Sequence, residues 1–128
     1  MNDWLVCGTR KKMKGYLELV CKTLDECTRR GHPAYATEPN SIIEGCCPDS
    51  ADEYAESWAM LHDVRLQHHP STSGNYLKRN IEMVSKCDLV IAFFDGWSYG
   101  TAHTIAQGLL QGKKVIVIKL AKEEGLLL

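Results

Sequence analysis

Three glycine-containing turns follow apolar runs in this sequence, and each turn is suited to binding an anion. The first is Gly8-Thr9-Arg10, the second begins at Gly45, and the third spans residues 96–101. A glycine in such a turn lets a ligand approach the backbone closely. The start of a following helix adds unpaired N–H groups and a partial positive charge. These features favour a phosphate-containing ligand, although each glycine has the alternative role of simply turning the chain.

The third turn is the strongest candidate for the phosphate site. Gly96 and Ser98 lead into Gly100-Thr101, where a small residue and a hydroxyl meet at the predicted start of a helix. Arg10 and Arg79 are candidate charged partners, because a guanidinium group binds phosphate through two parallel hydrogen bonds. The turn also carries two aromatic side chains, Trp97 and Tyr99. They can stack on a base, cover the sheet edge or contact a second subunit.

Glycosidic cleavage would require a carboxylate to activate water or to stabilise a cationic sugar. The candidates are Glu44, Asp52 and Asp95. Each has an alternative structural role, namely local hydrogen bonding at a turn for Glu44 and Asp95 and a place in the first turn of a helix for Asp52. His103 can contact a ligand or exchange a proton near neutral pH. Its alternative role is that of a solvated or hydrogen-bonded helix histidine.

The six cysteines show no CxxC spacing, so we expect reduced thiols that serve structural purposes. The pairs Cys46-Cys47 and His68-His69 suggest a zinc site at first sight. However, adjacent residues cannot easily bind one tetrahedral ion, and structural zinc sites use separated pairs. We therefore predict no metal site, and the sequence implies no cofactor.

The composition is that of a globular protein. The chain has 128 residues, of which 45% are hydrophobic and 24% are charged, with a net charge of −1. This length predicts one domain over residues 1–128. The near-zero charge argues against nucleic acid as a partner. No apolar run is long enough to span a membrane, and the N-terminus lacks a signal-peptide pattern, so we expect no membrane association and a cytoplasmic location.

Apolar runs alternate with helical periodicity along the chain. The predicted strands are residues 4–7, 41–44, 64–68, 88–94 and 115–120, and the predicted helices are residues 12–30, 51–62, 75–86 and 101–111. Gly31 and Pro33 should end the first helix. The helical spacing assigns Leu17, Leu61 and Ile81 to inward faces. This alternation predicts a three-layer α/β sandwich of the Rossmann type, with a mainly parallel five-stranded sheet in the order 3-2-1-4-5.

The ordered set of motifs resembles the SLOG superfamily of DprA- and LOG-related nucleotide-binding domains, nearest its small YspA/YpsA-like branch. The motifs are Val6-Cys7-Gly8-Thr9-Arg10, Ile43-Glu44-Gly45 with Ala51-Asp52 and Ala55, Arg79-Asn80, and Asp88 to Phe93 leading to Gly100-Thr101. The resemblance covers about residues 4–120. It implies a nucleotide or ADP-ribose-like ligand at Gly8, Thr9, Arg10, Gly45, Asp52, Arg79, Gly100 and Thr101.

One departure from the relatives concerns catalysis. Hydrolytic LOG relatives place a glutamate three residues beyond the threonine of the third turn, where this chain has Thr104. The segment around Gly100-Thr101 is also similar to nucleoside deoxyribosyltransferases, whose nucleophilic glutamate falls at the same point. Both resemblances imply nucleotide binding and argue against catalysis by the usual residue.

Three functions follow as hypotheses. The first is a sensing or sequestering module for a nucleoside monophosphate, ADP-ribose or a cyclic signalling nucleotide. The second is an N-glycoside hydrolase that acts on nucleoside monophosphates or related nucleotides. The third is an oligomeric structural module without a ligand. A homo-oligomer is expected, with Trp97, Tyr99 or the helix that carries Trp58 as the apolar contact.

Overall fold

Strands and helices alternate along the part of the chain that the computed structural model describes, residues 2–29, 38–71 and 75–120. The strands are β1 (Asp3–Gly8), β2 (Ser41–Glu44), β3 (Arg65–His68), β4 (Leu89–Phe94) and β5 (Lys114–Lys119). The helices are α1 (Tyr16–Arg29), α2 (Ala51–Leu61), α3 (Tyr76–Lys86) and α4 (Tyr99–Leu110).

All five strands pair in parallel, and their order across the sheet is β3-β2-β1-β4-β5. This result confirms the predicted fold class and strand order. The central strands β1 and β4 are buried along most of their length, as the continuous apolar run of β4 predicts for a strand covered on both faces. The short strand β3 lies at an edge and is only partly buried.

Two apolar clusters, one on each face of the sheet, form the outer layers of the core. On one face, α1 and α2 pack together over the sheet through Tyr16, Leu24, Ala55 and Trp58. On the other face, Met83 and Val84 of α3 and Ile105 of α4 pack against the sheet. Helices α1 and α2 therefore cover one face of the sheet and helices α3 and α4 cover the other, which produces the three-layer Rossmann-like architecture.

Two helices begin at positions that differ from the prediction. Helix α1 begins at Tyr16 rather than near residue 12, because the chain first turns at Gly15 with a φ of +82°. Helix α4 begins at Tyr99, after Ser98 as its N-cap, so Gly100 and Thr101 lie inside its first turn. The predicted end of the first helix at Gly31 and Pro33 lies outside the described residues.

Three residues that the helical spacing placed inward are exposed, so that part of the prediction was wrong. Leu17, Leu61 and Ile81 are 41%, 83% and 42% exposed. In α3 the inward face consists of Asn80, Met83 and Val84, which displaces Ile81 to the outside. Within the described residues, no helix is both long and apolar enough to cross a membrane.

Candidate functional site

The centre of the sheet provides the natural place for a ligand. Strands β1 and β4 are neighbours, yet β1 leads to α1 on one face and β4 leads to α4 on the other. In an open parallel sheet this change of direction leaves a crevice at the carboxyl ends of the strands. Because all strands are parallel, the turns after β1, β2 and β4 reach this same edge.

The turn after β4 is organised by the carboxylate of Asp95. It accepts hydrogen bonds from the backbone N–H groups of Trp97 at 2.8 Å and Ser98 at 2.9 Å. Partial burial of Asp95 tends to raise its pKa, but these two amides, Thr9 and Lys11 outweigh that effect, and the net pKa is lowered. The Ser98 hydroxyl in turn accepts from the Thr101 amide and caps α4. Asp95 and Ser98 thus fix the position of the helix N-terminus.

Gly100 lies in the first turn of α4, where helical geometry leaves the backbone N–H groups without intrahelical acceptors. A Cβ at this position would come no closer than 3.6 Å to the ring of Tyr76, which is ordinary contact. Crowding therefore does not require a glycine here. The neighbouring aromatic side chains are exposed, with Trp97 at 86% and Tyr99 at 65%.

The turn after β1 is tied to the turn after β4. The Thr9 hydroxyl accepts a hydrogen bond from the Asp95 amide at 3.1 Å, and the Tyr16 hydroxyl donates to the Thr9 carbonyl at 2.8 Å. A Cβ on Gly8 would lie 2.6 Å from the Tyr16 hydroxyl oxygen, so close packing explains that glycine. Arg10, in contrast, is exposed. Of the three residues predicted in this turn, Gly8 and Thr9 have internal roles and Arg10 is open to solvent.

The turn after β2 is crowded by charged side chains. The Arg79 guanidinium donates to the Gly45 carbonyl at 3.0 Å, and a Cβ on Gly45 would lie 2.9 Å from Cζ of Arg79 and 3.1 Å from a carboxylate oxygen of Asp52. A side chain at position 45 would have to displace the Arg79 guanidinium or the Asp52 carboxylate, because both pack directly on the Gly45 backbone. The predicted site residues Gly45, Asp52 and Arg79 are therefore brought together.

Asp52 points to the preceding turn rather than to the end of its own helix. One of its carboxylate oxygens accepts from the amides of Gly45 at 2.9 Å and Cys47 at 3.4 Å. Burial, followed by the negative charge of Glu44, raises the pKa of Asp52 to about 6, although the two amides and Arg79 act in the opposite direction. Asp52 thus orders the second turn, although its burial disfavours the charged form of the carboxylate.

Glu44, the last residue of β2, is completely buried. One carboxylate oxygen accepts from the Cys46 amide at 2.6 Å, and the other contacts Nδ1 of His68. Burial raises the pKa of Glu44. The hydrogen bonds from the Cys46 amide and His68 act in the opposite direction but are smaller effects, so the net pKa is raised. All three candidate catalytic carboxylates, including Asp52 and Asp95, are therefore engaged in hydrogen bonds within the protein.

The sequence analysis gave no role to Asn80, which connects the second and third turns. Asn80 is 2% exposed, and its side-chain oxygen accepts a hydrogen bond from Arg79 at 3.2 Å. The same amide group reaches the Gly100 carbonyl at 3.4 Å and Nδ1 of His103 at 3.4 Å. The available sequence signal was the polar pair Arg79-Asn80, because helical spacing puts Asn80 on the same face of α3 as the inward Val84.

The site residues form two groups that Asn80 joins. The first group contains Thr9, Asp95, Ser98 and Thr101, and the second contains Glu44, Gly45, Asp52 and Arg79. Gly96, with a φ of +93° and open space around it, shapes the third turn and makes no such link. Thr104 is buried and donates to the Gly100 carbonyl at 3.1 Å, so it supports the helix.

This geometry offers a helix N-terminus for an anion, exposed aromatic rings beside it and a crowded set of carboxylates behind it. Neither a protein-family model nor a curated protein matches the sequence of this chain. The arrangement of its own residues is therefore the basis for its proposed function.

Proposed function

We propose that the protein binds a nucleotide or nucleotide-derived ligand at the carboxyl edge of the sheet, with a phosphate at the N-terminus of α4. The observation that carries this proposal is Gly100. It lies in the first turn of a capped helix at the point where strand connections change direction, and crowding does not require a glycine there. A ligand that approaches the backbone closely accounts for a glycine, which has no side chain, at this position.

The surroundings of Gly100 suit the remaining parts of a nucleotide. Trp97 and Tyr99 present exposed rings beside the helix N-terminus, and base stacking on such rings contributes about 1–3 kcal/mol in nucleic-acid complexes. The exposed Arg10 follows β1, the strand next to β4, and supplies a positive charge at the same edge. The resemblance to the SLOG superfamily supports the same ligand class.

Binding without turnover agrees better with the carboxylates than hydrolysis does. Glu44 and Asp52 are buried, and Asp95 uses one oxygen to hold two amides of its own turn. The position of the glutamate in hydrolytic relatives is occupied by the buried Thr104. We therefore propose a sensing or sequestering module, and formation of a homo-oligomer stays a prediction.

A thermal-shift screen tests the proposal with nucleoside monophosphates, ADP-ribose, NAD and cyclic dinucleotides, each compared with its phosphate-free nucleoside. A ligand at 100 times its dissociation constant should stabilise the native state by about 2.7 kcal/mol. We expect stabilisation by at least one phosphorylated compound and little or none by its nucleoside. Chromatography of the mixtures should recover the ligand intact.

The matched variants Gly100→Asp and Gly100→Asn locate the site. A carboxylate at a helix N-terminus stabilises a helix by about 0.3–1 kcal/mol, yet it repels a phosphate at the same place. The Asp variant should therefore be at least as stable as the Asn variant and lose ligand binding much more completely. Equal binding by the wild type and both variants would contradict a phosphate site at α4.

A further inference from the structure

Three side chains of the types that bind metal ions in proteins meet at the carboxyl ends of β2 and β3. Glu44 and His68 are the last residues of these strands, and they are partners in the parallel register. Their side chains therefore extend from neighbouring strands, and Nδ1 of His68 contacts a carboxylate oxygen of Glu44. Cys46 follows β2 and turns back toward both of them.

The backbone at Cys46 places its sulfur in this group. Its φ is +63°, a left-handed conformation that non-glycine residues seldom adopt. In this conformation its amide donates to Glu44, and its Sγ lies 3.5 Å from Nδ1 of His68 and 3.7 Å from Oε2 of Glu44. One candidate ligand atom from each of the three residues lies within 4.8 Å of the others.

We propose that Glu44, Cys46 and His68 bind a zinc-like divalent transition-metal ion. Tetrahedral ligands with bond lengths of about 2.3 Å to sulfur and about 2.0–2.1 Å to nitrogen or oxygen lie about 3.5 Å apart. The two sulfur separations, 3.5 and 3.7 Å, agree with that spacing. An ion in this position would replace the direct contact between His68 and Glu44.

The donor types select the class of metal. A thiolate and an imidazole favour Zn²⁺ and related ions, whereas Ca²⁺ and Mg²⁺ prefer oxygen ligands. Binding breaks the S–H bond of Cys46, forms a metal–sulfur bond and releases the proton to solvent. The carboxylate and the thiolate then balance the two positive charges, and the neutral imidazole binds through Nδ1.

The site has an open side. Cys46 is exposed and the side chain of His68 is 46% exposed, so a water molecule or another ligand can take the fourth position. The carboxylate of Glu56 lies 3.9 Å from Nδ1 of His68 and can also reach this side. The sequence analysis rejected a site built from the adjacent pairs. The structure instead combines one cysteine and one histidine from those pairs with Glu44.

The adjacent pairs Cys46-Cys47 and His68-His69 supply matched control variants for the experiment. Zn²⁺ is titrated in competition with a chromophoric chelator into the full-length wild type and the variants Cys46→Ser, Cys47→Ser, His68→Asn and His69→Asn. We expect Cys46→Ser and His68→Asn to weaken zinc binding by about 100-fold or more, because even changes beyond the ligands cost 10–100-fold. Cys47→Ser and His69→Asn should bind zinc within a few-fold of the wild type.

Cobalt provides a second, spectroscopic readout that reports directly on a metal–thiolate bond. Co²⁺ bound to the wild type should show a thiolate charge-transfer absorption, which Cys46→Ser should lose while its circular dichroism stays unchanged. Absence of that absorption from cobalt-loaded wild type, or equal zinc affinity in all four variants, would overturn the proposal. Gly100→Asp should retain zinc binding, so failure of the nucleotide proposal and failure of the metal proposal are separable.

Discussion

The turns after β2 and β4 use glycine for different reasons. At Gly45 an added Cβ would lie 2.9 Å from the Arg79 guanidinium, whereas at Gly100 the nearest atom is 3.6 Å away. A side chain at the first position would have to displace Arg79 or Asp52, whereas an added Cβ at the second position would displace nothing. The comparison teaches that a glycine after a strand indicates a ligand only where crowding and backbone conformation leave it unexplained.

The largest effect that distinguishes the two turns should come from the buried carboxylate of Asp52. The titratable and charged groups that interact with it from the surrounding elements are Glu44, Arg79, Cys7, Cys46, Cys47 and Tyr16. Its pKa is about 6 in the folded state, against 3.8 for the unperturbed group. The native state therefore binds this proton more tightly than the unfolded state does. The stabilisation that the bound proton gives to the native state is lost as pH rises from about 4 to about 6.

The variant Asp52→Asn should remove this pH dependence. At about 1.36 kcal/mol per pKa unit, the loss in the wild type amounts to as much as about 3 kcal/mol. The asparagine oxygen can still accept from the Gly45 and Cys47 amides, which share one oxygen of Asp52. Urea unfolding at several pH values measures the difference, with the exposed Asp63→Asn as control. Parallel pH profiles for the wild type and Asp52→Asn would contradict the assignment.

The next effect concerns Gly45 itself. The variant Gly45→Ala forces a methyl group against Arg79 and Asp52, and overpacking of this kind costs about 1–3 kcal/mol. Denaturant unfolding should show a lower free energy of unfolding than in the wild type. A variant as stable as the wild type would show that the guanidinium can move aside freely.

The smallest effect should have the opposite sign. Gly100→Ala adds a methyl group in a helix without a clash, and replacement of a helical glycine by alanine is worth about 0.5–1 kcal/mol. The same unfolding measurement should therefore show a small gain in stability, accompanied by weaker nucleotide binding in the thermal-shift assay. Lower stability in Gly100→Ala than in the wild type would remove the contrast between the two turns.

The sheet could be predicted because its signals are local. The apolar run of β4 and the alternation of strands with helices along the chain predicted a parallel sheet in the order that the structure shows. The inward faces were less accurate, because helical spacing assigned Ile81 to the core while the polar Asn80 is buried instead. Hydrophobic periodicity cannot identify a polar residue whose burial depends on distant partners, here Gly100 and His103.

The third turn and the cluster of Glu44, Cys46 and His68 show the same limit of prediction from sequence. The third turn was recognisable because Ser98, Gly100 and Thr101 lie together in the sequence and act on one helix. The contact between Glu44 and His68 depends on the register of β2 against β3, and the approach of Cys46 depends on a positive φ. Neither feature follows from residue spacing. For this reason, the sequence analysis weighed the cysteine and histidine pairs without Glu44.

The central claim is that a phosphate binds at the N-terminus of α4, and amide chemical shifts test it most directly. A ¹⁵N-labelled sample is titrated with the phosphorylated compound that gives the largest thermal shift, and then with its nucleoside. The account predicts that the largest phosphate-dependent shifts fall on the amides of Tyr99, Gly100 and Thr101. Phosphate-dependent shifts centred on the turn after β2, with those three amides unmoved, would contradict it.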